Sequence, residues 1–190
     1  GQAYCWGDNT DYQLGANLGG PAYVTKAQKV MLPDIHIYDL FLGESHTCAL
    51  VAGGAVKCWG YGAEGALGYE NSDTKDATSA TMQNLQPVDL GPGMVVERLI
   101  DGARNHTCAV VINEDPKLST KQLQCWGSNS GSKLGLGLPA KDEFLDMVII
   151  GDEPGEMGAD LEHLFLAEEV HVLEVSGGYN HTCARLLSIE

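Results

Sequence analysis

The chain has 190 residues with 11 Lys+Arg and 26 Asp+Glu, a formal charge of −15. Such an acidic balance argues against nucleic-acid or anionic-membrane binding, because neutralising phosphates needs clustered cations. At 44 % apolar and 19 % charged residues the chain is not of the disordered class, its 24 glycines favour turn-rich β structure, and without a run of about 18 apolar residues no membrane insertion is expected.

The sequence opens at Gly1 without an initiator Met or a signal-like segment, and so reads as a processed or excised piece. Cys5-Trp6-Gly7 comes first and heads the 11-residue stretch CWGDNTDYQLG. A short β-rich run at 28–32 follows, then a second at 35–42, and Gly43 leads into His46-Thr47-Cys48-Ala49. The same order then returns. Residues 58–68 read CWGYGAEGALG, with runs at 86–90 and 95–100, and Gly102 before His106-Thr107-Cys108-Ala109. Residues 125–135 read CWGSNSGSKLG, with runs at 146–150 and 170–175, and Gly178 before His181-Thr182-Cys183-Ala184. Only 156–169, with Leu161, Leu164 and Phe165 at helical spacing, suggests one short helix.

The two tripeptides alternate. Cys-Trp-Gly recurs after 53 and 67 residues and His-Thr-Cys after 60 and 75, a period near 60 with insertions. Four short strands per period, separated by turn residues, describe an all-β chain of four-stranded propeller blades. The three repeat units span approximately 1–52, 53–115 and 116–190, forming one propeller segment. Three blades do not close a ring, so this segment is expected to be part of a larger propeller or to assemble with further copies.

Residues 46–60, HTCALVAGGAVKCWG, fold as a hairpin around Ala52-Gly53-Gly54. That places Cys48 opposite Cys58, Ala49 opposite Lys57 and Leu50 opposite Val56, close enough for a disulfide. Cys108 and Cys125 bracket a longer hairpin with a polar tip at 113–121. Bridges Cys48–Cys58 and Cys108–Cys125 are therefore expected. Cys5 and Cys183 are left over. Read from the end of the chain into its start they form another such hairpin, so either they pair within the chain or each pairs with a neighbouring copy. Reduced thiols or a zinc site using His46 and Cys48 are the alternatives, but no Cys-x-x-Cys spacing supports zinc. Disulfides imply an oxidising compartment.

The combination His-Thr-Cys-Ala-Leu, Gly-x-Val-Lys-Cys-Trp-Gly and Gly-x-Leu-Gly resembles the repeat of the regulator of chromosome condensation family, in three copies over essentially the whole chain. The resemblance implies a propeller of about seven blades. It also implies a range of roles: nucleotide exchange on a small GTPase with chromatin binding, β-lactamase inhibition, or protein interaction. The cysteines resemble secreted or cell-surface versions of the repeat. The expected function is a non-enzymatic extracellular or cell-surface scaffold that binds protein partners through its loops. The alternative is an intracellular exchange-type regulator of a GTPase.

The remaining motifs fit that reading. Residues 60–65 match G-x-G-x-x-G, but no helical period follows and the other repeats lack it, so they read as a turn. His46, His106 and His181 recur too regularly for a catalytic residue and are expected to be buried and bonded to backbone. Trp6, Trp59 and Trp126 are expected to pack between blades. His36, His163 and His171 are isolated and expected at the surface or a strand edge. Asn105 and Asn180 head Asn-His-Thr sequons and are possible glycosylation sites. Acidic residues gather in the third repeat: Asp142, Glu143, Asp146, Asp152, Glu153, Glu156, Asp160, Glu162, Glu168 and Glu169. They lack Ca²⁺-loop spacing, so a solvated insertion is expected, with Asp152, Glu153, Glu156 and Asp160 as the place for a partner contact. No hydrolase elbow, metalloprotease helix or P-loop occurs, so no enzyme, metal or cofactor is expected.

Overall fold

The computed structural model describes residues 1–19, 23–33, 35–100, 104–115, 121–137, 148–164, 166 and 170–188. In chain order these hold β1 (Tyr4–Asp8), β2 (Tyr23–Lys29), β3 (Ile37–Leu42), β4 (His46–Val51), β5 (Ala55–Gly60), α1 (Ser79–Asn84), β6 (Met94–Leu99) and β7 (His106–Asn113). Then come β8 (Gln122–Ser128), β9 (Ile149–Ile150), β10 (His163–Leu164), β11 (Val170–Gly177) and β12 (Thr182–Ser188). Their antiparallel sheets run β1-β2, β3-β4-β5, β6-β7-β8 with β9 and β10 both on β8, and β11-β12. The boundary at 52/53 falls in a tight hairpin turn, so each central sheet takes strands from two successive sequence repeats.

The strands pair in the register that the cysteines announce. Cys48 faces Cys58, Ala49 faces Lys57 and Leu50 faces Val56, while Cys108 faces Cys125. Three apolar clusters lie between successive sheets. One holds Leu14, Trp59 and Met82, one Cys48, Cys58 and Trp126, and one Cys108, Cys125 and Val172. Cohesion is therefore between neighbouring blades, as in any array of stacked units.

The outer strand of each blade departs most from the expected pattern. In the first it is a full strand, β2, which ends before residues 30–32. In the second, residues 86–90 make no ladder. Val88 N–H bonds the Val56 carbonyl at 2.8 Å, Gly60 bridges Lys75, and the Tyr69 hydroxyl sits between strand and rim. That hydroxyl accepts from Cys58 N–H at 3.0 Å and lies 3.1 Å from the Cys58 carbonyl and 3.0 Å from that of Gln86. Pro87 cannot donate to a ladder, and α1 lies in the insertion ahead of it; Thr78 caps α1 by accepting from Thr81 N–H. In the third blade the strand is split: β9 pairs with Gly127 and Ser128, β10 with Leu123 and Gln124. The expected helix over 156–169 is absent from its described part, where 158–160 form one 3-10 turn and β10 is extended. Phe165 and residues 167–169 lie outside the described residues, as do Asp142, Glu143, Asp146, Gly102 and most of the second hairpin tip.

Candidate functional site

Every described joint between neighbouring sheets is built on one backbone carbonyl. Gln13, Ala66 and Lys133 occupy the same place, eight residues after the cysteine of each Cys-Trp-Gly. The Gln13 carbonyl accepts from the Thr47 hydroxyl at 2.7 Å and the Trp59 indole N–H at 3.0 Å. The Ala66 carbonyl accepts from Thr107 at 2.8 Å and Trp126 at 3.1 Å. The Lys133 carbonyl accepts from Thr182 at 2.9 Å. A threonine hydroxyl has one hydrogen, and here it goes to the carbonyl, so the oxygen must accept from histidine. His46 Nε2 stands 2.9 Å from Thr107 Oγ1 and His106 Nε2 stands 3.2 Å from Thr182 Oγ1. Each histidine therefore carries its proton on Nε2 and reaches into the next repeat.

The turn that offers this carbonyl is also fixed locally. Asn9 and Asn129 side chains accept from the Leu14 and Leu134 amides, both at 3.0 Å. Left-handed backbone falls at Tyr12, Gly65 and Ser132, so the glycine of Gly-x-Leu-Gly is present in only one of three copies. The Gly of the final Leu-Gly is required sterically: a Cβ on Gly15 or Gly68 would lie 2.6 or 2.8 Å from the indole nitrogen of Trp59 or Trp126.

Placement of the expected residues is uneven. Cys48–Cys58 and Cys108–Cys125 are bonded, with Cα separations of 4.0 and 4.1 Å. Cys5 and Cys183 are free, the first buried and the second exposed, so the in-chain alternative for the third pair does not form. Trp59 and Trp126 are 0 % exposed, whereas Trp6 is 65 % exposed among the described residues. His46 and His106 are buried, but they meet threonine hydroxyls and not backbone. His181 is exposed. Burial lowers the pKa of His46 to about 3, with the His106 charge adding to it, and that of His106 to about 4, with Lys133 adding. His163 is exposed and its pKa is lowered by partial desolvation; the side chain of His171 lies outside the described residues. Among the described residues no group of three metal-ligating side chains occurs.

The loops ahead of the His-Thr-Cys strands form a continuous polar face. Glu44 pairs with Arg104, and the Arg104 guanidinium lies 4.2 Å from the Tyr179 ring centre. These three residues hold equivalent positions, two before each histidine. Asn105 Nδ2 donates to Glu64 at 3.2 Å. Lys133 is buried beneath; desolvation lowers its pKa, opposed by Glu64. Of the two sequons, Asn105 is half-buried with its amide engaged, while Asn180 is exposed.

The acidic insertion is more ordered than a solvated loop. Glu156 Oε2 accepts from the Gly151, Asp152 and Glu153 amides at 2.8, 3.1 and 3.0 Å. Glu70, from the preceding blade, accepts from Gly155, Glu156 and Met157 at 2.8, 3.2 and 3.2 Å. Glu156 is thus a clamp for its own loop; Glu153 and Asp160 are exposed and Asp152 is half-buried. The Gly155 and Met157 amides hold the Glu70 pKa below the usual carboxylate range. A depressed carboxyl stabilises the fold above its ordinary pKa and ceases to as pH falls through the lowered one. A Glu70→Gln chain is therefore expected to exchange the amide hydrogens of 155–157 several-fold faster at neutral pH, and the native chain to lose that protection in acid. Unchanged exchange in the variant would remove Glu70 from this role.

Antiparallel hairpin sheets, each joined to the next by a carbonyl that accepts from a threonine hydroxyl and, at Gln13 and Ala66, from an indole N–H as well, define a segment of a β-propeller. The chain is an array of RCC1-type repeats: the "Regulator of chromosome condensation (RCC1) repeat" matches residues 1–50 and again 37–66. Protein pim1 of Schizosaccharomyces pombe is 24 % identical over 184 residues, covering 97 % of this chain and 32 % of its own length. The ultraviolet-B receptor UVR8 of Arabidopsis thaliana is 26 % identical over 219 residues, covering 96 % and 46 %. The crystal structure of Prp20p from Saccharomyces cerevisiae matches with a TM-score of 0.65 at 20 % identity, covering 97 % of this chain and 37 % of that one. The chain thus spans from just under a third to just under half of these relatives' length. Sequence reasoning missed the threonines, the recurrent carbonyl and Glu70; only the repetition of Thr beside His pointed to the first.

Proposed function

We propose that the chain is a non-enzymatic protein-binding segment of a propeller working in an oxidising setting, outside the cell or on its surface. The observation that carries this reading is the pair of hairpin disulfides, whose sulfurs are buried and whose register follows the repeat. Such bonds persist in secreted proteins and are rare where glutathione keeps thiols reduced. Partners are taken on the polar face of Glu44, Arg104 and Tyr179 and on the exposed carboxylates of the insertion, which favour a basic partner surface. Loops on a rigid repeat scaffold suit this role.

A second reading is regulation of a small GTPase. It is favoured by the relatives alone: the Prp20p structure is described together with its binding to Gsp1p and histones. Peptide mapping without reductant, on protein drawn from its native source into alkylating buffer, separates the two. Peptides linking Cys48 to Cys58 and Cys108 to Cys125 are expected, with no acceleration of nucleotide release from a small GTPase. Alkylated cysteines together with faster release would overturn the first reading in favour of the second.

A further inference from the structure

On the polar face one arginine is held from several sides and left open on another. Arg104 Nε donates to Glu44, and its guanidinium lies 4.2 Å from the Tyr179 ring centre. Its backbone carbonyl accepts from Glu44 N–H at 3.0 Å. The two terminal nitrogens of the guanidinium donate to no described residue. They carry most of the group's N–H donors, in a rigid fork that matches a carboxylate. Arg104 is the middle one of the three equivalent loop residues, so both of its side-chain neighbours, Glu44 and Tyr179, come from sheets that flank its own within the array.

A second cation stands beneath it. Lys133 is 5 % exposed, and its ammonium makes no hydrogen bond or ion pair with a described residue. The carboxylates around it are already engaged: Glu44 pairs with Arg104, and Glu64 accepts from Asn105 Nδ2 at 3.2 Å. Desolvation lowers the Lys133 pKa; Glu64 and Glu44 oppose that, and the Arg104 charge adds to it. Arg104 and Lys133 are thus close enough for their charges to act on each other. A buried cation without a partner is costly, and an anion placed beside it removes that cost. In a chain with 26 acidic and 11 basic residues, two cations with open donors at one place mark a site for an anion.

We propose that this face takes a carboxylate of its protein partner, bound by the free edge of the Arg104 guanidinium with the Lys133 ammonium as a further donor. The proposal rests on the reading of this face as a partner surface, and not on the oxidising setting. It refines that reading. The exposed carboxylates of the insertion call for basic residues on the partner, whereas Arg104 calls for an acidic one set among them. An arginine tied at Nε and stacked on an aromatic ring has little rotamer freedom left to lose, so the carboxylate meets a preorganised fork. A lysine at position 104 would offer only a point charge, which Glu44 already occupies.

The test titrates the intact native protein, labelled with nitrogen-15, with short probe peptides. One has blocked ends and a central aspartate, one has the same ends with asparagine instead, and one carries that asparagine with a free terminal carboxylate. The Arg104 Nε–H signal is expected to shift saturably with a carboxylate peptide and not with the blocked asparagine peptide. Of the two carboxylate peptides, the tighter binder identifies the source as a side chain or a chain terminus. Read from backbone amide shifts, Arg104→Lys is expected to weaken binding about tenfold or more and Lys133→Met about threefold or more, with circular dichroism unchanged. No shift at Arg104 with either carboxylate peptide, or equal affinity in Arg104→Lys, would overturn the proposal. A blocked lysine peptide that moves Glu153 and Asp160 while Arg104 stays silent to every carboxylate would overturn it too, yet leave the protein-binding reading standing.

Discussion

Replacing Trp126 by alanine is expected to destabilise the chain by about 3–5 kcal/mol, and the same change at Trp6 by no more than about 0.5 kcal/mol in the isolated protomer. Both residues follow the cysteine of an identical tripeptide, so local sequence does not separate them. Trp126 is fully enclosed among Leu67, Val88 and Met157, and its removal leaves a cavity between blades. It also takes one of two donors from the Ala66 carbonyl, leaving only the Thr107 hydroxyl. Trp6 loses neither a packed shell nor a hydrogen bond. Urea unfolding followed by circular dichroism measures both, and a change of about 4 kcal/mol corresponds to a fall in Tm of roughly 10 °C at this chain length. Equal costs for the two variants would show that the indoles do not act through the joints.

The second large effect is acid sensitivity that starts well above the carboxylate range. In the unfolded chain both imidazoles titrate near 6.5, whereas burial brings His46 to about 3 and His106 to about 4 in the folded one. Between those values the unfolded state binds protons that the folded state does not. Stability therefore falls as pH drops from about 6.5, by up to about 1.4 kcal/mol per pH unit for each histidine once that window is entered. From pH 6.5 to 5 the carboxylates contribute little, so urea midpoints in that interval report the histidines. His46→Gln keeps an amide donor toward Thr107 and is expected to flatten the slope by about half, whatever its effect on stability at neutral pH. A slope unchanged by the substitution would mean that His46 is protonated in the fold.

Much of this architecture is legible in the residues. Alternating cysteines determine which strands pair and in what register, because a one-residue slip would turn every side chain to the opposite face. The recurrence of Cys-Trp-Gly marks the inner strands for the same reason. The joints are less legible. Threonine in a β-branched run reads as a strand former, and its acceptor lies 34 to 49 residues away, in the turn beyond a strand of the neighbouring sheet. The carbonyl it meets belongs to Gln13, Ala66 or Lys133, so side-chain identity carries no signal. Trp6 and His181 match their counterparts in sequence and differ only in what stands beside them. At residues 86–90 β propensity was overridden by Pro87 and by the Tyr69 hydroxyl, which takes the place of a strand.

The joint at Gln13 and Ala66 also dictates where such a molecule can grow. One oxygen there fixes a hydroxyl and an indole from two adjacent strands at once, so any added residue near it would change the pitch between wedges and break both bonds. The perimeter carries no such constraint: residues 76–85 and 151–162 interrupt the outermost strand without disturbing the hub. New recognition surfaces can therefore be acquired at the circumference alone, and relatives of this chain should differ in length there while the spacing from cysteine to the gripping oxygen stays constant.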